Sequence, residues 1–146
     1  MTTELHPLGF FLPENTRLLM LGSFPPPRAR WSMDFYYPNI HNDMWRILGL
    51  IFYGNKDAFL RDKKAFSEEK AKAFCREKGI GIGDTAMEVI RLKANASDKF
   101  LEVVRPIDPE KVLSQIPECV AIVVTGQKAM DTLLSVLPGT CLLYTS

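Results

Sequence analysis

The run CVAIVVTG, from Cys119 to Gly126, constrains the fold of this chain more than any other segment. It is almost continuously apolar and rich in β-branched residues, which is typical of a strand buried on both faces, as in a parallel sheet. The apolar run Leu18–Leu21, closed by Gly22, has the same character. A third short strand is predicted in GIGIGDT, where alternating glycines let other parts of the chain approach closely.

Helical patterns separate these strands. The predicted helices cover about residues 42–53, 56–79, 108–117 and 127–137. Asn42 or Asp43 is predicted to cap the first helix, and Ser67 and Asp108 are further candidate N-caps. The stretch 86–106 is interpreted as a polar excursion. Strands that alternate with helices predict an α/β fold, here a three-layer α/β/α arrangement with a short central parallel sheet.

Composition narrows the class of protein. With 47% hydrophobic residues, the 146-residue chain fits a single domain, 1–146, with a real core. The net charge of +1 excludes a strongly basic, histone-like binder, although local basic patches can still contact phosphates. The three widely spaced cysteines suit free thiols in a reducing compartment. No apolar run approaches the ~18 residues of a membrane span, so we predict a monomeric, cytoplasmic protein without membrane contact.

The carboxyl-terminal end of the sequence is unusual. Only five residues lead from Gly139 to Tyr144, where CLLYTS closes the chain. A parallel sheet with three strands and an incomplete fourth is an unfavourable arrangement. The expectation is therefore a truncated chain that lacks its last strand and the following loop, with 139–146 as a candidate non-native tail.

The long segment Gly22–Trp45, GSFPPPRARWSMDFYYPNIHNDMW, is the strongest candidate for a site. Its prolines cannot continue a central strand, so it must form a loop that leaves the carboxyl end of the first strand. Asp84–Thr85 and Thr125–Gly126 follow the other two strands and therefore lie at the same edge, where α/β sheets bind ligands. Aromatic rings together with an amide suit recognition of a flat heterocycle.

Other kinds of site fit the sequence less well. GIGIGDT imitates a dinucleotide-binding fingerprint, but its glycines lie in or before the strand rather than in a strand-to-helix turn. The two histidines, His6 and His41, are far apart in sequence, and His41 is interpreted as a loop hydrogen-bonder. We therefore predict neither a nucleotide cofactor nor a metal ion.

The segment LLMLGSFPPPRARWSMDFYYPNIHNDMWRILGLIF resembles the first motif region of the uracil-DNA glycosylase superfamily. It is most similar to the hypoxanthine (deoxyinosine) and mismatch-specific branches, in which a strand ends in glycine before a proline turn, an aromatic residue and an N-x-[FM]-W helix start. GIGIGDT and AIVVTGQKAMDTLL fit the second and third strands of the same fold. The resemblance covers about residues 8–138.

The resemblance implies a role for several residues. Tyr37 matches the aromatic residue that stacks on a flipped base, and Asn42 matches the asparagine that is catalytic in the hypoxanthine branch. The backbone of Gly22, Ser23 and Phe24 would line the base pocket. Phe24 stands where the mismatch-specific branch has its catalytic asparagine, so that mechanism is not available. The superfamily's second motif would follow a fourth strand, and the chain ends before it.

The function that the resemblance implies is hydrolysis of the N-glycosidic bond of a deaminated base, uracil or hypoxanthine, in DNA. The partner would be DNA with a damaged or mispaired base, and no cofactor would be needed. A non-catalytic or truncated nucleic-acid-binding member is the alternative, and an unrelated small-molecule-binding domain is a third possibility.

Several residues keep two interpretations. Asn42 can be a helix cap, a site residue or both, and Asp84 can cap a following helical turn or hold a ligand or water. Arg28 and Arg30 can contact DNA phosphates or be solvated loop charges. Trp45 is expected in the core.

Overall fold

The structure is a computed structural model that describes residues 2–92, 100–137 and 144–145. The strands are β1 (Thr3–Leu5), β2 (Leu18–Gly22), β3 (Leu60–Asp62), β4 (Ala65–Phe66), β5 (Ile80–Asp84), β6 (Ala86–Arg91), β7 (Leu101–Pro106), β8 (Ala121–Val124) and β9 (Tyr144–Thr145). The helices are α1 (Met44–Tyr53), α2 (Glu68–Lys78), α3 (Pro109–Ser114) and α4 (Gln127–Leu134).

The central sheet has the order β5-β2-β8-β9, and all its pairings are parallel. Its first three strands are the three that the sequence predicts. Gly22, the last residue of β2, stands directly opposite Asp84, the last residue of β5. The position of a fourth strand, which was expected to be unfilled, is taken by the two-residue pairing of Tyr144–Thr145 with β8.

Side chains of β2 alternate between the two faces of this sheet. Met20 points to α1 and α2, whereas Leu19 and Leu21 point to α3 and α4. The helices thus cover both faces, and the predicted α/β class and three-layer α/β/α arrangement are confirmed.

Two of the predicted N-caps, Ser67 and Asp108, cap their helices. Ser67 Oγ accepts a hydrogen bond from the Lys70 N–H at the start of α2, and the Asp108 side chain accepts one from Lys111 at the start of α3. Gly54 and Gly79 follow α1 and α2 in the left-handed conformation, which glycine adopts without steric cost.

Two sequence expectations are wrong. The stretch 56–66 is not helical, because β3 and β4 form a small antiparallel hairpin and α2 begins only after Ser67. The stretch 86–106 is not a mere polar excursion, since β6 and β7 pair antiparallel and β1 adds to the other edge of β6. Both errors concern pairings between strands, which local composition does not reveal.

Ion pairing and aromatic packing reinforce the three-stranded antiparallel sheet. Arg91 Nε lies 2.9 Å from Glu4 Oε2 and joins β6 to β1. Phe24, from the loop after β2, packs with Ala86, Val89 and Leu101 of β6 and β7. This sheet thereby joins the central sheet next to the carboxyl end of β2.

Among the helices of the described residues, none is long and apolar enough to cross a membrane.

Candidate active site

A cavity of about 390 Å³ opens at the carboxyl edge of the central sheet. Pockets for small ligands typically measure roughly 300–1,000 Å³. Its lining combines the ends of β2 and β5, the residue after β8 and the long loop. The residues that the sequence singled out and that line it are Gly22, Ser23, Phe24, Tyr37, Asn42, Asp84 and Thr125.

The floor of the cavity requires a glycine at the end of β2. A Cβ atom on Gly22 would lie 2.7 Å from Asp84 Oδ1, and 3.5 Å from both Thr125 Oγ1 and the Tyr37 hydroxyl oxygen. The first distance is too short for a carbon atom next to carboxylate. Gly22 therefore leaves room for the Asp84 carboxylate, and the Thr125 and Tyr37 hydroxyls lie at ordinary contact distance from the same position.

A buried pair, Asp84 and His6, forms one side of this floor. His6 Nε2 lies 2.6 Å from Asp84 Oδ2, and the two side chains are 3% and 7% exposed. The pairing of β1 with β6 brings His6 there, and its own N–H donates to the Met87 carbonyl. His6 carries no sequence signal for this site, because its contact with Asp84 spans 78 positions and depends on a three-residue strand.

The hydrogen bonds around His6 define its protonation. Nδ1 accepts hydrogen bonds from the main-chain N–H groups of Leu8 and Gly9, at 3.2 and 3.0 Å. A ring nitrogen that accepts these bonds carries no proton, so the proton is on Nε2 and is donated to Asp84. Within the pair, His6 Nε2–H is therefore the donor and Asp84 Oδ2 is the acceptor.

Asp84 is followed by a strand and not by a helix. The strand β6 follows it after one residue, with no helical turn, so the cap interpretation of Asp84 is wrong. Its Oδ1 has no hydrogen-bond partner in the described part of the chain. Asp84 thus brings a fixed acceptor to the cavity.

Tyr36 and Tyr37 both line the cavity, but only Tyr36 belongs to the buried core. Tyr36 is buried, and its hydroxyl donates to the Gly9 carbonyl. Burial, with the nearby Asp84 charge as a second cause, raises the Tyr36 pKa far above its ordinary value, so the phenol stays neutral. Tyr37 is half-buried, has a left-handed φ of 51° and places its hydroxyl 3.2 Å from Thr125 Oγ1.

Trp45 supports this wall from behind. It is fully buried, as expected, and its Nε1–H donates to the Tyr36 carbonyl at 2.8 Å. Its ring also meets the Tyr37 ring edge-on, with centroids 6.3 Å apart. The position of the two tyrosines therefore depends on a tryptophan of α1.

Asn42 lies at the exposed rim of the cavity. Its Oδ1 accepts a hydrogen bond from the Met44 N–H at 2.8 Å, at the first residue of α1. The helix N-cap is Asp43, whose side chain makes no capping bond. Asn42 thus supports the helix start and lines the cavity at once, and its amide nitrogen has no partner among the residues described.

The main chain after β2 offers hydrogen-bond donors. The N–H groups of Ser23 and Phe24 have no acceptor within the described segments, and neither does the buried Ser23 Oγ. Buried polar groups are normally paired, so each unpaired one requires an explanation. Donors that line a cavity are available to a ligand. The Phe24 ring itself lies edge-on to His6, at 5.3 Å.

The two arginines of the loop lie outside the cavity. Arg28 is exposed, pairs with Asp34 at 3.0 Å and stacks its guanidinium 4.2 Å from the centre of the Trp31 ring. Arg30 is also exposed, at the end of the same short 3-10 turn. In the described ranges, no group of three His, Cys, Asp or Glu side chains could hold a metal ion.

Comparison with solved structures identifies a protein with a similar fold. A matching structure is the solution NMR structure of a protein from Methanosarcina acetivorans, provisionally described as a uracil DNA glycosylase. The two chains are 25% identical, the TM-score is 0.64, and the match covers 88% of this chain and 75% of the other. The chain therefore has the fold of the uracil-DNA glycosylase superfamily. No protein-family model matches it, and no curated protein gives a significant match.

Proposed function

We propose that the protein is a monofunctional DNA glycosylase that removes a deaminated base, uracil or hypoxanthine, in base-excision repair. The observation that supports this most is the cavity at the carboxyl edge of a glycosylase-like sheet. It combines an aromatic wall, a buried carboxylate and unpaired main-chain donors. Its residues also carry the sequence resemblance to the hypoxanthine branch.

The substrate would enter as a flipped nucleotide. Extruding a base costs a few kcal/mol, and least for a mispaired base, so damaged positions are favoured before any contact forms. Stacking on the Tyr37 ring would return about 1–3 kcal/mol. The Trp45 contact behind it keeps that ring in place before the base arrives.

The departing base must be stabilised as its bond to deoxyribose breaks. Negative charge then develops on the base, and donors already in place lower the barrier by about 3–4 kcal/mol each in enzymes where one has been removed. The N–H groups of Ser23 and Phe24 are suited to this role because both residues line the cavity and these N–H groups have no acceptor among the described residues.

Asn42 is the proposed catalytic residue. Asn42 is exposed at the rim, so it would lie beside the sugar of a flipped nucleotide, which stays next to solvent. The bond from Met44 to Oδ1 holds the amide in one orientation, so the amide can position the attacking water. Phe24 occupies the position of the catalytic asparagine of the mismatch-specific branch, and its ring packs against β6 and β7 instead.

DNA contacts outside the cavity are assigned to Arg28 and Arg30. Both side chains are exposed on the loop that forms the cavity wall, so a phosphate backbone could pass over them. Phosphate contacts of this kind position a duplex without reading its sequence.

Excision from oligonucleotides that contain a single uracil or hypoxanthine tests the proposal. We expect abasic product with at least one of them, and a loss of about 100-fold in the single-turnover rate for Asn42→Ala. Asn55→Ala is a matched control, since Asn55 makes the same kind of Oδ1 bond two residues on, to Asp57, but lies outside the cavity.

The alternative of a binder without catalysis predicts a different result. Such a protein would retain tight, salt-dependent binding to damaged DNA and form no abasic product. Equal rates for Asn42→Ala and Asn55→Ala would remove Asn42 from the mechanism.

A further inference from the structure

Hydrogen bonds hold Asn42 in place although the residue is exposed. Its main-chain N–H donates to the Asn39 carbonyl at 2.9 Å, and its Oδ1 accepts from the Met44 N–H at 2.8 Å. Its carbonyl accepts a hydrogen bond from Arg46 Nη1 at 3.2 Å. Packing cannot fix a side chain at the exposed rim, so these bonds must set the direction of the amide.

Arg46 connects this part of the loop to α1. Its Nη1 donates to the Ile40 carbonyl at 2.7 Å and to the Asn42 carbonyl at 3.2 Å, so one nitrogen binds the main chain at two places. The Asp43 carboxylate lies 3.5 Å from the same nitrogen, but its side chain is 76% exposed, and such an ion pair contributes little. The guanidinium therefore acts mainly on the main chain that carries Asn42.

The guanidinium of Arg46 has a rigid support. Its Cζ lies 5.1 Å from the centre of the Phe66 ring, within the range of a cation–π contact. Phe66 is buried in β4, and its N–H donates to Ser32 Oγ, which in turn donates to the Pro38 carbonyl. The β3–β4 hairpin thus contacts both the arginine and the loop. With its side chain 27% exposed, Arg46 is more restrained than a solvated arginine.

We propose that Arg46 is a positioning residue for Asn42, whose amide it holds in one direction by fixing the carbonyl groups of Ile40 and Asn42. The inference rests on the proposed function, in which this amide positions the attacking water. A displacement of about 1 Å can lower an enzymatic rate about 100-fold, so the loss of one of several supports should have a smaller effect. Arg46 is not among the residues that line the cavity, so it would act only through Asn42.

A double-mutant cycle on base excision tests this dependence. We expect Arg46→Met to lower the single-turnover rate at saturating DNA about 10-fold. In Asn42→Ala the same change should lower the rate less than about twofold, because Asn42 is no longer there to be positioned. Effects that multiply overturn this inference and leave the proposed function intact. No excision of uracil or hypoxanthine by the unaltered protein overturns the proposed function.

Arg76→Met is the matched control. Its guanidinium also lies over a ring, 5.3 Å from the centre of Phe11, but it belongs to α2 and does not line the cavity. We expect it to keep the excision rate within about twofold. A loss equal to that of Arg46→Met would mean that the effect is not specific to Asn42, which overturns the inference.

The side-chain amide signal of Asn42 gives a measurement that does not depend on turnover. In an NMR spectrum it is the pair of side-chain signals that Asn42→Ala removes. We expect its order parameter to fall below about 0.6, the range of a flexible group, in Arg46→Met and to stay unchanged in Arg76→Met. An unchanged order parameter in folded Arg46→Met overturns the inference, whatever the excision rate.

A direct contact between Arg46 and DNA would give a different result. The slope of log K against log salt would then decrease by about one, and the rate at saturating DNA would be normal. We expect the slope to stay unchanged, and the opposite outcome overturns the inference. Arg46→Lys keeps the charge but is shorter, so it should keep the slope and still lower the order parameter of the Asn42 amide. It also replaces Arg46→Met in each measurement if that variant does not fold.

Discussion

On one face of the parallel sheet, β2 and β5 pack against aromatic rings of α1, α2 and the loops around them; on the other, β2 and β8 pack against aliphatic side chains of α3 and α4. The buried rings of the first face are Phe35, Tyr36, Trp45, Phe59, Phe66 and Phe74. The second face is built mainly of buried leucine, isoleucine, valine and alanine. Both faces are well buried, but they differ in what they hold.

The aromatic face continues into the cavity wall. Trp45 bonds the Tyr36 carbonyl and touches the Tyr37 ring, and Phe35 stacks on Trp45 with centroids 6.0 Å apart. Rings and an N–H donor define angles as well as distances, so they can fix a loop that has no regular structure. Among the described residues, the cluster of the aliphatic face contains no residue of the loop 22–45, so its packing supports the sheet. The core therefore has one side that shapes the site and one that supports the domain.

Trp45→Ala should have the largest effect. Removing a buried tryptophan costs about 3–5 kcal/mol of unfolding free energy, and the loop would also lose its support. Trp45→Phe isolates the second effect, because it keeps a ring and removes the N–H donor to Tyr36. We expect its excision rate to fall at a temperature at which denaturant curves show it fully folded. A normal excision rate in folded Trp45→Phe would contradict the idea that the aromatic face supports the site.

Leu133→Ala is the counterpart on the aliphatic face. Leu133 is fully buried between α4 and the sheet, so the change should cost about 2–5 kcal/mol. Because Leu133 belongs to the aliphatic cluster and is not among the cavity-lining residues, the excision rate of the folded fraction should stay within about twofold. Denaturation and single-turnover rates check the two parts separately. A large loss of rate with a small loss of stability would show that the two faces are not distinct.

The reactivity of two cysteine thiols compares the two faces without any mutation. Burial in the aromatic face raises the pKa of the Cys75 thiol to about 12, whereas Cys119 is half-buried beside the aliphatic face. The raised pKa keeps Cys75 protonated in the folded state, so its stabilising effect is complete below pH ~9 and is lost as the pH rises towards 12. At pH 8.5 we expect iodoacetamide to modify Cys119 well before Cys75, as read by peptide mass mapping. Rapid modification of Cys75 in folded protein would mean that this face opens readily.

The smallest effect is expected outside both faces. Arg28 is exposed, and its ion pair with Asp34 should contribute at most ~1 kcal/mol, so Arg28→Ala should hardly change the melting temperature. If Arg28 contacts a phosphate, DNA affinity should fall several-fold, and the slope of log K against log salt should decrease by about one. An unchanged slope would leave Arg28 as a solvated loop charge.

Sequence reasoning succeeded where the signal is local. The burial of a strand and the start of a helix are encoded within a few residues. The strands LLMLG and AIVV and the N-cap Ser67 were therefore predictable from local sequence. The β1-β6-β7 sheet and the β3-β4 hairpin were missed, since short amphipathic strands become recognisable only beside their partners.

The same limit applied to the candidate site. The position of Asp84 at a strand end was predictable, and so was that of the loop residues Gly22 and Tyr37 at the same edge. The partner of Asp84 was not, because His6 stands in a stretch whose only local marker is a following proline. Asn42 could be placed at a helix start from sequence, but its lining of a cavity depends on how α1 meets the sheet.

The three-residue strand β1 gives the beginning of the chain an influence out of proportion to its length. It holds His6 by pairing with β6, and no part of the parallel sheet runs through it. A protease that trims the chain through His6 would leave the central sheet and the aromatic wall in place while releasing the Asp84 carboxylate. The product would keep the parallel sheet but lose the Nε2–H donor to Asp84, so an affinity tag is better attached after β9 than ahead of β1.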